Sequence, residues 1–318
     1  MSEVSGIYDV VVIGSGPAGC AAGIYAARSR LKTLILERFA PGGQLLNYEK
    51  VENYPGFAEP IEAFELARRF NEHVDSFGVE RIQAEVTALE VQGPVKQIVT
   101  DGATYRAKTV IIASGATPRA LGVRGEREFV GSGVSYCGVC DAPFFREQDV
   151  AVVGGGDTAV EEAVYLTRFA RKVYLIHRRD RLRAAMVLQE RAKSNDKISI
   201  LWNTEVREIR GDSGVEEVVL YNKSDAREYS LPVSGVFIFV GLSPNVSFVP
   251  PAIGRDDGGF IVTDENMRTS VPGVFAAGDV RSKPLRQIVT AVSDGAIAAY
   301  SAGLYIENNE GMWPTVSP

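Results

Sequence analysis

Along the first forty or so positions the apolar residues change period twice. Tyr8 to Ile13 is a β-branched apolar run, suited to a parallel strand buried on both faces. Gly14-Ser15-Gly16-Pro17-Ala18-Gly19 follows at once, and an Ala-rich stretch from Cys20 to Arg30 reads as a helix. Leu31 to Glu37 returns to a strand that ends in an acid. The same order recurs 140 positions later, Gly14 mapping to Gly154. There the strand is Val150 to Val153, the loop Gly154-Gly155-Gly156-Asp157-Thr158-Ala159, the helix Thr158 to Phe169 and the second strand Val173 to Ile176. Tyr25 matches Tyr165, Arg28 matches Arg168, and Glu37 falls opposite His177. A third strand-to-loop signal runs from Gly273 to Asp279, and Arg286-Gln287-Ile288 opens a long helix reaching Tyr305. Repeated strand–helix–strand units predict an α/β chain with two Rossmann-like dinucleotide-binding domains.

The endings of the two repeats differ in charge, and charge sets ligand. In the first, glycines allow the tight turn and close approach of a pyrophosphate to a helix N-terminus, while Glu37 suits a free ribose 2′-hydroxyl. In the second, His177-Arg178-Arg179 and then Arg183 replace the acid. Guanidinium groups bind a 2′-phosphate bidentately where a carboxylate would repel it, so this site suits NADPH. Asp279, at the end of its strand, is a good acceptor for the polyol hydroxyls of a flavin.

Between the repeats stands Cys137-Gly138-Val139-Cys140-Asp141. The chain has only three cysteines and two histidines, too few to complete a zinc site, so no metal is expected. The pair reads instead as a redox dithiol, with Asp141 the nearest candidate to move protons. Cys20 reads as core and His73 as surface. Two nucleotide sites and a dithiol suggest an electron relay from a soluble carrier through a flavin to a disulfide. A net charge of −6 argues against nucleic acid or an anionic membrane as partner. The absence of a long apolar run or of a leader-like N-terminus leads us to expect a soluble, cytoplasmic protein.

Together Gly14–Gly19, Gly42-Gly43-Gln44-Leu45, Val51-Glu52-Asn53-Tyr54-Pro55-Gly56, Ala113-Ser114-Gly115-Ala116, the cysteine pentad, Gly154–Ala163, His177–Arg183, Gly241–Asn245 and Ala276–Asp279 with Arg286-Gln287 resemble the low-molecular-weight NADPH-dependent thioredoxin reductases. The resemblance covers almost the whole chain. It implies an NADPH domain inserted into a discontinuous FAD domain: residues 1–118 and 246–318 for FAD, and 119–245 for NADPH and the dithiol. FAD would contact Gly14, Ser15, Gly16, Pro17, Ala18, Glu37, Arg38, Gly43, Gln44, Asn53, Ala113, Gly115, Asp279, Arg286, Gln287 and Ile288. NADPH would contact Gly156, Asp157, Thr158, His177, Arg178, Arg179 and Arg183. It further implies a homodimer, a rotation of one domain against the other, Cys140 as the flavin-side sulfur, and Cys137 as the sulfur exchanging with thioredoxin or another small disulfide protein.

Departures cluster near the flavin. Leu46-Asn47-Tyr48-Glu49-Lys50 stands where the family usually has a threonine-rich stretch, and the tail carries Trp313. An aromatic ring on the flavin face would exclude nicotinamide. Tyr48 and Trp313 therefore keep open a same-fold enzyme that does without NADPH, using ferredoxin or a second flavin, or running toward dithiol oxidation. A flavin:NADP oxidoreductase with an idle dithiol and a non-catalytic nucleotide-binding module are the further alternatives.

Overall fold

The computed structural model describes residues 2–3, 6–48 and 50–313. Glu49 and the tail from Pro314 onward lie outside the described residues. The chain divides into two compact units, one formed by residues 1–117 and 243–318, the other by 118–242.

In the first unit, Tyr8–Ile13 sits centrally in a sheet ordered Glu80–Gln83, Thr33–Glu37, Tyr8–Ile13, Ala103–Ile112, Lys96–Thr100, Val86–Glu90. The first four strands are parallel, and Val274–Ala276 joins Ala103–Ile112, also in parallel. Val10, Val11 and Val12 are completely buried, as a strand covered on both faces requires. Helix Pro17–Arg28 follows, with Gly16 as its N-cap and Pro17 in the first turn, where a missing N–H costs nothing. It packs on the last long helix, Ile288–Glu307, with Ala298, Ala299 and Ala302 in the shared core. Small residues let the two backbones approach closely.

The second unit repeats the plan. Its parallel sheet is ordered Val134–Ser135, Gly235–Phe239, Asp149–Gly154, Lys172–Ile176, Ile198–Leu201. Helix Asp157–Leu166 covers it, and a three-stranded antiparallel sheet, Thr204–Gly211, Val215–Asn222 and Arg227–Pro232, completes the unit. Both glycine loops thus leave the C-terminal end of a central parallel strand, where open α/β sheets bind ligands.

Candidate active site

The first loop is shaped by backbone crowding. Gly14 has φ +105°, and a Cβ there would lie 2.5 Å from the Ala113 carbonyl oxygen. A Cβ on Gly19 would lie 1.9 Å from the Gly14 carbonyl oxygen, so the third glycine is what lets the helix start against the strand. The Glu37 carboxylate closes on this loop: Ser15 N–H donates to Oε2 at 2.7 Å and Phe39 N–H to Oε1 at 3.1 Å. Each oxygen keeps a second lone pair for a ribose hydroxyl. Arg38, next in sequence, is half-exposed, pairs with Glu85 at 2.9 Å and lies over the Phe39 ring.

Several of the other residues expected to hold the flavin are fixed by separate hydrogen bonds within the first unit. Gln44, in the turn Gly43–Asn47, donates Nε2 to the Ala116 carbonyl at 3.0 Å and accepts from Asn47. Asn53 Nδ2 donates to Gln287 Oε1 at 3.0 Å, and Gln287 caps the helix that Ile288 opens. Beside Ala113 and Gly115, the Ser114 carbonyl accepts from Asn245 Nδ2 at 2.9 Å. Arg286 donates to the Arg281 carbonyl at 3.1 Å and stacks 3.9 Å from the Phe260 ring centre.

Asp279 tests whether a flavin fits. Its Oδ1 is buried with no partner among the described residues. Burial raises the Asp279 carboxyl above its usual range, against the pull of Lys283 and Arg286. A buried acceptor left bare costs on the order of 1–3 kcal/mol, so a polyol hydroxyl delivered here has a partner waiting. The residues present fit FAD.

Sequence reasoning missed the group that aims this acid. Asp294, in an otherwise apolar helix, accepts from Gly278 N–H at 3.0 Å and pairs with Arg281 and Lys283, each at 2.8 Å. An acid in the middle of an Ala-rich helix was the available signal, because a buried charge must be paired.

At the second loop, space beside Gly156 is open for several ångströms. The arginine segment folds back over it: Arg183 N–H donates to the Gly155 carbonyl at 2.7 Å, and Ala185 N–H to Asp157 Oδ1 at 2.8 Å. Arg178, Arg179 and Arg183 are exposed, while Asp157 and Thr158 are half-buried at the helix start. His177 departs from expectation. Its ring is buried, with Nδ1 2.8 Å from the Gly154 carbonyl and Nε2 2.9 Å from the Arg181 carbonyl. With both nitrogens occupied by backbone, His177 staples the arginine segment to the glycine loop instead of meeting phosphate directly.

Cys137 and Cys140 are joined in a disulfide. Cys140 is exposed and Cys137 partly so. Cys137 precedes the short helix Gly138–Asp141, and its Sγ accepts from Cys140 N–H at 3.2 Å. An N–H donor favours the thiolate over the thiol. Ser135 Oγ accepts from Cys137 N–H at 3.0 Å. Tyr136 donates to Glu126 at 2.6 Å, and the Leu121 and Gly122 amides donate to the same carboxylate. Burial alone would raise the Glu126 carboxyl; these three bonds and a fourth from the Val123 amide outweigh it and hold the group below its usual range. Asp141 is half-buried beside Cys140.

Residues 8–295 match the pyridine nucleotide-disulphide oxidoreductases. The chain belongs to that family. Among curated members, thioredoxin reductase of Peptoclostridium acidaminophilum is 47% identical over 95% of this chain and 98% of its own. Thioredoxin reductase of Bacillus subtilis is 48% identical over 96% and 97%. The crystal structure of Lactococcus lactis thioredoxin reductase superposes with a TM-score of 0.93 at 48% identity, covering 95% of this chain and 99% of that one. A ferredoxin-flavin thioredoxin reductase from Clostridium acetobutylicum is more distant, at 32% identity, a TM-score of 0.53 and coverage of 95% and 99%.

The two aromatics that kept an oxidoreductase without NADPH open are both accounted for within the first unit. Tyr48 packs in the cluster of Leu45, Val51 and Leu66. Trp313 lies against Tyr305, ring centres 6.2 Å apart, with the Lys108 ammonium over it. The neighbouring Ala107 pairs with Tyr8, the first residue of the strand whose far end carries the Gly14 loop. Trp313 is therefore at the opposite end of the sheet from that loop.

Proposed function

We propose that this oxidoreductase is a thioredoxin-disulfide reductase that passes electrons from NADPH through FAD to Cys137–Cys140 and on to thioredoxin. The observation that carries the reading is the redox disulfide sharing one chain with two complete but differently charged dinucleotide loops. FAD, when bound, supplies a two-electron carrier between nicotinamide and disulfide. Glu37 holds its ribose and Asp279 its polyol, with Ser15, Gly16, Pro17 and Ala18 presenting the loop and helix start to pyrophosphate. Arg38, Gly43, Gln44, Asn53, Ala113, Gly115, Arg286, Gln287 and Ile288 line the same site. Gly156, Asp157 and Thr158 receive the NADPH pyrophosphate, and Arg178, Arg179 and Arg183 its 2′-phosphate. We accordingly assign residues 1–118 and 246–318 to FAD, and 119–245 to NADPH and the dithiol.

At the disulfide, two electrons break the Cys137–Cys140 bond and two protons complete the thiols, Asp141 serving as the nearby acid/base. Cys137, as thiolate, attacks the partner's disulfide: a Cys137–partner bond forms, the partner's bond breaks, and the released partner sulfur takes a proton. Cys140 then attacks Cys137, restoring the internal disulfide and freeing the second partner thiol. We further propose a homodimer working in the reducing cytoplasm. Among the described residues no helix is long and apolar enough to cross a membrane. The test is thioredoxin-coupled NADPH oxidation by the purified yellow protein. Turnover lost in Cys140→Ser supports the reading; no wild-type turnover with any thioredoxin counts against it.

A further inference from the structure

One ionisable side chain in the second unit has no part in the chemistry above, and it lies directly against the dithiol turn. Glu162 is on helix Asp157–Leu166, is 4% exposed, and its Oε2 has no hydrogen-bond partner among the described residues. A Cβ built on Gly138 would fall 1.8 Å from that oxygen. The carboxyl therefore presses on the backbone between the two cysteines, and only glycine leaves room for it. Among the described residues nothing neutralises it. The one charge acting on it is Glu161 on its own helix, with the same sign. The turn above brings Cys137, Cys140 and Asp141, and strand Gly235–Phe239 brings no charge. Lys172, Glu190, Arg191 and Lys193, with Asp149, sit on the other strands and helix packed against this one, and none acts on it. Burial, with a smaller contribution from Glu161, pushes the carboxyl up to about 8.

A bare buried carboxylate costs several kcal/mol, whereas a buried carboxylic acid costs far less. An acid at this place is thus expected to keep its proton at neutral pH. We propose that Glu162 is a positioning residue for the dithiol, a neutral acid beneath the Gly138–Cys140 turn whose ionisation is coupled to that of the two thiols. Two electrons entering the disulfide break the S–S bond and leave sulfur anions that take up protons. With Glu162 neutral, the attacking thiolate forms beside an uncharged group. With Glu162 ionised, it forms near a second anion that is itself buried beneath the turn, which suppresses it. Two such groups titrate as a pair, in two macroscopic steps.

This rests on reading Cys137–Cys140 as the working dithiol, so the readout is the sulfurs' own titration. If the functional reading is wrong, wild-type thioredoxin turnover is absent; if this inference is wrong, the titration is insensitive to Glu162. The experiment reduces full-length wild type and Glu162→Gln with dithiothreitol. Iodoacetamide labelling of Cys137 and Cys140 is then followed by mass spectrometry from about pH 6 to about pH 10, spanning both ordinary thiol and raised carboxyl titrations. The expected wild-type profile has two steps. In Glu162→Gln the carboxyl's step is lost, with labelling roughly threefold faster near pH 9, as a one-unit like-charge shift of a thiol titrating near about 8.5 gives. Superimposable profiles in two folded, yellow proteins overturn the proposal. Should Glu162→Gln fail to retain its flavin, infrared difference spectra of the wild type decide. A protonated-carboxyl band at neutral pH that shifts on disulfide reduction supports the coupling. A spectrum without such a band contradicts it.

Discussion

The third cysteine shows how environment decides reactivity. Cys20 is buried beneath the first glycine loop, its thiol pushed up to about 12, mainly by burial and against a hydrogen bond from the Ser15 side chain. Its thiolate fraction at neutral pH is then roughly a thousandfold below that of a free cysteine. Native protein reduced with dithiothreitol should incorporate iodoacetamide at Cys137 and Cys140 only, and a label on Cys20 before unfolding would refute this. Asp279 carries a complementary prediction. Asp279→Ala removes the bare acceptor at the polyol position, and a charged hydrogen bond is worth about 1.5–3 kcal/mol. FAD retention measured by dialysis or fluorescence should weaken by roughly 10- to 150-fold, with the fold preserved. Cys20 as core and Glu37 at the glycine loop were legible because composition and register alone place them. His177 was legible only as a member of a basic cluster. That its ring would turn inward to two carbonyls depends on the return path of residues 181–185, which no local pattern specifies.

At the scale of elements, the two glycine-loop units and the last helix were legible, with errors at their ends, while the antiparallel strands Thr204–Gly211, Val215–Asn222 and Arg227–Pro232 carry no motif and were not read. The first helix begins at Pro17, not Cys20, because Gly16 caps it and proline accepts the first turn. The second stops at Leu166, short of Phe169, its last turns closing through tighter bonds such as Phe169 N–H to the Leu166 carbonyl. In the function we propose, the arginine segment chooses the donor. Arg178→Ala with Arg179→Ala should raise KM for NADPH about a hundredfold, leave kcat nearly unchanged, and narrow the preference over NADH, since it removes contacts made equally in ground and transition states. Steady-state kinetics with both nucleotides check this. The loop ahead of the dithiol gives a pH prediction. Glu126 is depressed in the folded state, so its contribution is present above the unfolded value of about 4.3 and is lost as pH falls through the lower folded value. Glu126→Gln should lower the unfolding free energy measured in urea at pH 7 by about 1–3 kcal/mol for the charge-assisted bonds removed. The gap from wild type should narrow as pH falls below the ordinary carboxyl value of about 4.3. A gap that persists in acid would show that packing, not charge, is lost.

Over the whole molecule, the repeat of strand, glycine loop and helix announced two Rossmann-like bodies, and the charges after each second strand are the basis on which we assign FAD to one and NADPH to the other. What stayed hidden depends on distant chain segments meeting. Asp294 aims Asp279 across 15 residues of helix and loop, Glu126 holds Tyr136, and Glu162 reaches Gly138 from a neighbouring helix. Trp313 misled for the same reason: an aromatic near a chain end gives no hint of which end of the sheet it will cover. The account as a whole turns on electrons entering as NADPH and leaving as thiols on thioredoxin. The most direct measurement mixes the purified yellow protein with NADPH and oxidised thioredoxin and counts both products. The account predicts one NADPH consumed for each two thioredoxin thiols formed, with none formed by Cys140→Ser. NADPH left unconsumed, or thiols formed at the wild-type rate by Cys140→Ser, would contradict it.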